Sequence, residues 1–226
     1  MNLANINLIN FLYVIPSVLI ALTFHEYAHG WVAYKLGDPT AKNFGRLTLN
    51  PLKHLDIIGT ICMILFRFGW AKPVPINSRY FSKPRRDIAL TAAAGPVMNL
   101  ILGFIGSFVY VLMLILTPLL FKSEGAGLNI WDSGIYLVWT FFSINISLCI
   151  FNLIPVPPLD GSKIIYLILP PKWAFFLSNN ERYIRIALLV LLWSGIITLP
   201  LTYLSTLISS AFLKLWFAVF KLFLPI

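Results

Sequence analysis

Four long apolar runs constrain this chain more than any other feature. They lie at about residues 8–34, 87–121, 135–154 and 184–224. An uninterrupted apolar stretch of about 20 residues is long enough to cross a bilayer as a helix. Only 11% of the residues are charged, against about 25% in a soluble globular domain. A soluble fold is thereby excluded, and the chain reads as an all-α polytopic membrane protein. The second run enters the membrane near Asp87 and leaves it near Pro118. The third is closed by Pro155, Pro157 and Pro158, which end a helix and force extended backbone. The last run is too long for one straight span, and Pro200 divides it into helices over about 184–198 and 202–224, with a single kinked helix as the alternative, since proline is tolerated in membrane helices. The expectation is about five transmembrane helices in one membrane-embedded domain, 1–226. Residues 8–165 form a three-helix core, and 184–224 hold the C-terminal helices. The apolar stretch Ile57–Phe68 is too short to cross as a helix. It is expected to form a short β or re-entrant segment between the first and second core helices, shielded by protein or water.

Charge sets the orientation. Ten of the 17 basic residues fall between Lys35 and Arg86, against only Asp38 and Asp56. Cytoplasmic loops hold Lys and Arg, so this loop faces the cytoplasm and the N-terminus lies outside. Five spans then place the C-terminus in the cytoplasm, and the cell membrane is the expected location. The same rule accounts for the net charge of +9 without nucleic acid, and the lipid bilayer is the partner that this charge implies. No basic residue precedes Lys35, so the first run lacks the n-region of a cleavable signal peptide and stays in place. Cys62 and Cys149 both lie in apolar stretches and form no disulfide framework.

Within the first run, Phe24-His25-Glu26-Tyr27-Ala28-His29 stands out. An ionisable side chain inside a span is costly and marks a functional candidate. His25 and His29 lie one turn apart on one helix face, so their imidazoles can bind a single Zn²⁺. Glu26 is placed to serve as a general base, the H-E-x-x-H arrangement of zinc hydrolases. The bland alternative is a pair of interfacial histidines satisfied by a glutamate. A zinc hydrolase needs a third protein ligand, and two residues compete for the place. Asp160 follows the third span, whose cytoplasmic end lies at the depth of the His25–His29 turn. It also has the look of an ordinary turn residue before Gly161. His54 lies in the basic loop beside Lys53.

These residues resemble the site-2 protease family of intramembrane zinc metalloproteases. His25-Glu26-Tyr27-Ala28-His29 is similar to its first motif. Asn152, Pro155 and Leu159-Asp160-Gly161 are similar to its second, N-x-x-P-x-x-x-L-D-G. Gly95-Pro96-Val97-Met98-Asn99 looks like the G-P-x-x-N element of the helix between them. Residues 45–51 and 69–75 look like the family's intervening loop. The resemblance covers about residues 8–165. It implies one Zn²⁺ per chain held by His25, His29 and Asp160, with Glu26 as the base. It also implies that Asn152 lies beside the metal to bind the substrate backbone or the oxyanion. Asn99 is either a transition-state residue or a structural hydrogen-bonding group. Gly95-Pro96 is expected to permit close helix packing. The substrates implied are membrane proteins with transmembrane segments. Many family members carry a PDZ domain or a CBS pair, which 226 residues leave no room for.

Two other functions use the same histidines. A membrane zinc hydrolase acting on a lipid or prenyl group needs only the first motif, and the second motif favours a protease. A metal transporter needs ligands strung across several spans, whereas here they cluster at one depth.

Overall fold

The computed structural model describes residues 8–56, 59, 71–121 and 126–223. Its helices are α1 (Leu8–Lys35), α2 (Thr40–Asn43), α3 (Pro84–Leu120), α4 (Ala126–Asn152), α5 (Asp160–Ile165), α6 (Pro171–Asn179), α7 (Glu181–Trp193) and α8 (Thr198–Phe223). Short 3-10 turns lie at Pro51–Lys53 and Ser78–Tyr80. Among the described residues, Pro84–Leu120, Gly127–Asn152 and Thr198–Phe223 are long and apolar enough to cross a membrane. α1 is 28 residues long and carries the ionisable triplet. The expected short β or re-entrant segment at 57–68 falls almost wholly outside the described residues. Leu55 and Ala71, which flank it, form one antiparallel bridge.

α1, α3 and α4 pack on one another. α1 and α3 are antiparallel, because Ala21 meets Asn99 and His29 meets Thr91. α3 and α4 are also antiparallel, with Asn99 beside Asn145 and Thr117 beside Trp131. Small residues bring these two helices together. A Cβ on Gly103 would lie 2.6 Å from Ile146 Cδ1, and one on Gly106 would lie 3.3 Å from Phe142 Cβ. Lipid tails are as apolar as the side chains, so close backbone approach and polar contacts hold membrane helices together.

α8 lies against α3 and α4. Phe212 packs on Phe104, Trp216 on Phe104 and Phe108, and Phe220 on Phe108. The Trp216 indole N–H donates to Ser107 Oγ at 3.1 Å. Residue numbers rise together along this ladder, so α8 runs in the same direction as α3. The chain does divide within 184–224, but not at Pro200. The turn lies at residues 194–197, where Gly195 has a φ of 78°, a left-handed conformation that glycine adopts without a steric penalty. Pro200 lies in the first turn of α8, where its missing N–H costs no intrahelical bond. α7 has only 13 residues, about 20 Å of helix, which is short of the about 30 Å hydrocarbon core.

After α4 the proline-rich stretch 153–159 turns the chain back, and α5 packs against α3. That reversal carries Asp160, the first residue of α5, toward α1.

Candidate metal centre

His25 and His29 project from one face of α1 onto α3, and Asp160 reaches them from α5. His25 Nε2 and His29 Nε2 are 3.0 Å apart. Asp160 Oδ2 lies 3.2 Å from each of them. All three residues are buried, and they form a group of potential metal ligands. Edges of about 3.3 Å are what a tetrahedral zinc with N and O ligands at about 2.0–2.1 Å requires.

The hydrogen bonds behind the two rings fix which ring atoms face the centre. His29 Nδ1 lies 2.7 Å from the Thr91 carbonyl, which can only accept, so the proton is on Nδ1. His25 Nδ1 lies 2.6 Å from Asn99 Oδ1. The Asn99 amide nitrogen donates to the Ala21 carbonyl at 3.2 Å and to Asn145 Oδ1 at 2.9 Å, so its oxygen must be the group that faces His25. In the neutral rings both Nε2 atoms therefore present lone pairs to each other and to a carboxylate oxygen. Three such atoms in mutual contact repel unless a cation lies among them. The donor set, its spacing and the buried acceptors behind each histidine fit zinc, in which the far nitrogen of a ligating histidine is held by an oxygen.

Gly95 closes the back of this centre. A Cβ there would lie 2.6 Å from His25 Nε2 and would collide with His29 Nε2. Pro96 follows within α3, which runs on through it. On the far side of the centre, Lys163 Nζ lies 3.5 Å from Asp160 Oδ1.

Glu26 is one residue around the helix from His25 and outside the triad. Its Oε2 accepts the backbone N–H of Val74 at 2.9 Å. The segment that carries Val74 is tied down at several points. The Lys72 N–H donates to the His54 carbonyl at 2.8 Å. The Lys72 carbonyl accepts from Arg46 at 2.6 Å, and the Asn77 N–H donates to Asp38 Oδ2 at 2.7 Å. Asp38 is fully buried and also accepts from the backbone and hydroxyl of Thr40. His25, Glu26, His29, Val74, Asn152 and Asp160 share the wall of one cavity of about 490 Å³.

Asn152 ends α4 at this cavity, and one of its amide hydrogens goes to the Leu148 carbonyl at 3.0 Å. Asn99 is fully buried behind His25, in contact with the ligand ring and not with the cavity. His54 stands apart from the triad. It is buried at the end of the Pro51–Lys53 turn, and its Nε2 donates to the Thr48 carbonyl at 2.8 Å. Val74 entered the sequence reading only as part of the 69–75 loop element, and Asp38, Thr91 and Asn145 have no site role there. Asn145 alone carried a signal, since it is an amide inside a span.

A profile of peptidase family M50 matches residues 13–132 and 121–193. YwhC of Bacillus subtilis, described as a candidate zinc metalloprotease, is 42% identical over 92% of this chain and 93% of its own length. Rip2 of Mycolicibacterium smegmatis, described in the same terms, is 27% identical over 80% of this chain and 67% of its own. The zinc metalloprotease MJ0392 of Methanocaldococcus jannaschii is 24% identical over 72% of this chain and 36% of its own length. No solved structure matches the chain.

Proposed function

Since the chain belongs to peptidase family M50, the site-2 protease family, and is a zinc metalloprotease, we propose that it is an intramembrane endopeptidase cutting membrane-protein substrates in or near their transmembrane segments. The observation that carries this reading is the convergence of three buried lone-pair atoms, from His25, His29 and Asp160, on the wall of a cavity that also holds the Glu26 carboxylate. These three residues would hold one zinc ion per chain. Zinc bound there supplies Lewis acidity toward a water and a peptide carbonyl. Glu26 Oε takes the proton of the attacking water and hands it to the leaving amine. The Val74 N–H holds the carboxylate in place for both transfers. Asn152, at the rim, offers its remaining amide hydrogen to the substrate backbone or to the developing oxyanion. A helical substrate hides its carbonyls, so it must unwind before it reaches Glu26.

The site lies within the packed helices, about 9–15 Å along α1 from Lys35, and Pro73, Val74 and Ile76 of the basic loop line its cavity. Thr91, Gly95 and Asn99 mark its depth on α3, about 10–22 Å along the helix from Pro84. We read α1, α3, α4 and α8 as the crossing helices, with the loop between Lys35 and Arg86 in the cytoplasm. The direction of α8 along α3 supports an even number of crossings. The C-terminus is then outside, in place of the cytoplasmic end expected from five spans.

The test is Glu26→Gln in purified protein, with zinc content and cleavage of a model transmembrane segment read together. Cleavage is expected to vanish while zinc stays at one per chain. Retained cleavage would overturn the assignment of the base. Hydrolysis of a lipid or prenyl substrate, with no peptide cleavage by the wild type, would favour the other class of zinc hydrolase.

A further inference from the structure

The core helices share a line of buried amides that ends on a metal-site histidine. We propose that Asn145 is a positioning residue, which sets the tautomer of His25 through Asn99 and thereby the affinity for zinc. The proposal rests on the zinc reading above and extends it to a residue outside the ligand set.

The line has one polarity. The Phe141 carbonyl can only accept, so the Asn145 nitrogen faces it at 2.9 Å and Asn145 Oδ1 faces the other way. That oxygen takes an N–H of Asn99 at 2.9 Å. The second N–H of Asn99 goes to the Ala21 carbonyl at the longer distance of 3.2 Å. Both hydrogens of the amide are then committed, and Asn99 Oδ1 is turned to His25 Nδ1 at 2.6 Å. The proton of the ring is held on Nδ1, and Nε2 offers a lone pair to the centre. A reversed Asn99 would set its N–H against Nδ1 and move the ring proton to Nε2, inside the ligand triad. Asn99 and Asn145 are each 0% exposed, so no water can take over the role of either partner. The line starts on α4, passes through α3 and ends on α1, so the orientation of a ligand on one helix depends on the other two.

Interhelical amides also act simply as glue between membrane helices, and one double-mutant comparison separates the two roles. In Asn99→Asp both side-chain oxygens accept, so His25 keeps an acceptor whichever way residue 145 points. Zinc affinity is measured by competition with a chelating dye for the wild type, Asn145→Leu, Asn99→Asp and the double variant. Visible spectra of the cobalt-loaded proteins are recorded alongside. Asn145→Leu is expected to weaken zinc binding about 10–100-fold, the range for outer partners of metal ligands, and to shift the cobalt bands. In the Asn99→Asp background the same change is expected to cost less than about threefold. Wild-type affinity in Asn145→Leu, or an equal loss in both backgrounds, would overturn the positioning role and leave the zinc site standing. A wild-type chain that binds no zinc would overturn both. If Asn145→Leu is not recovered as a monodisperse protein, Asn145→Ala is measured in its place, with the same outcomes.

Discussion

Gly95 is the residue whose replacement the geometry judges most severely. The two ligand rings rest directly on its Cα, so even a methyl group must displace His25, His29 or the α3 backbone. Gly95→Ala is expected to lower zinc content well below one per chain and to reduce cleavage about 100-fold or more, since small misplacements of reacting groups have effects of this size. Gly134→Ala is the matched control. Its Cβ would meet only the mobile end of Met113, at 3.2 Å, and both zinc and activity are expected to persist. The third ligand is tested in the same way. Asp160→Ala removes an atom 3.2 Å from both imidazoles and is expected to lose zinc at least as severely as an outer-shell change, about 10–100-fold. His54→Ala removes a ring outside the triad and is expected to retain its metal. Zinc content by atomic absorption decides between them.

At the scale of elements, the extended segment 71–77 is what brings a backbone N–H to Glu26. Pro73 and Pro75 flank Val74 and have no N–H of their own, so Val74 donates the only backbone hydrogen bond between Lys72 and Ile76 that the prolines leave near Glu26. The segment is held from below by Asp38, which joins the end of α1 to Asn77. Asp38→Ala takes the acceptor away from the partly buried N–H groups of Thr40 and Asn77, at about 0.5–1.5 kcal/mol for each hydrogen bond lost. The expected outcome is a lower melting temperature, faster tryptic cleavage at Arg79 and reduced kcat, with zinc content unchanged because the triad draws nothing from this loop. Loss of zinc in Asp38→Ala would mean that the loop supports the ligands as well as the base.

For the whole molecule, the decisive feature is the parallel course of α3 and α8. The aromatic ladder from Phe104 to Phe108 on one helix and from Phe212 to Phe220 on the other fixes it. The proposed count of four crossings rests on that direction and on the length of α7. A single cysteine placed after Phe223, in a chain whose Cys62 and Cys149 are replaced by serine, is expected to react with a membrane-impermeant maleimide from the outside of intact cells. A cysteine at Lys172 is expected to react only after the cells are opened. Labelling of both from the same side would restore the five-span arrangement.

The sequence by itself determined the class of the molecule and pointed to the residues of its proposed centre. Apolar runs of spanning length leave no alternative to membrane helices, and the cost of a charge in lipid makes Glu26 and its two histidines conspicuous. The pairing of His25 with His29 was legible because helical periodicity is a local property. Asp160 was legible in part, from the depth of the span before it, while its approach to the histidines depends on how 153–159 fold back. The C-terminal division was expected, but its place was not, because Pro200 is as compatible with a helix start as with a break, and Gly195 supplies the turn. Only the tertiary structure decided the direction of α8, the N–H that holds Glu26 and the amide line from Asn145 to His25. Each of these depends on residues 46 to 109 positions apart. No local preference encodes such contacts, and they arise only when several helices pack at once.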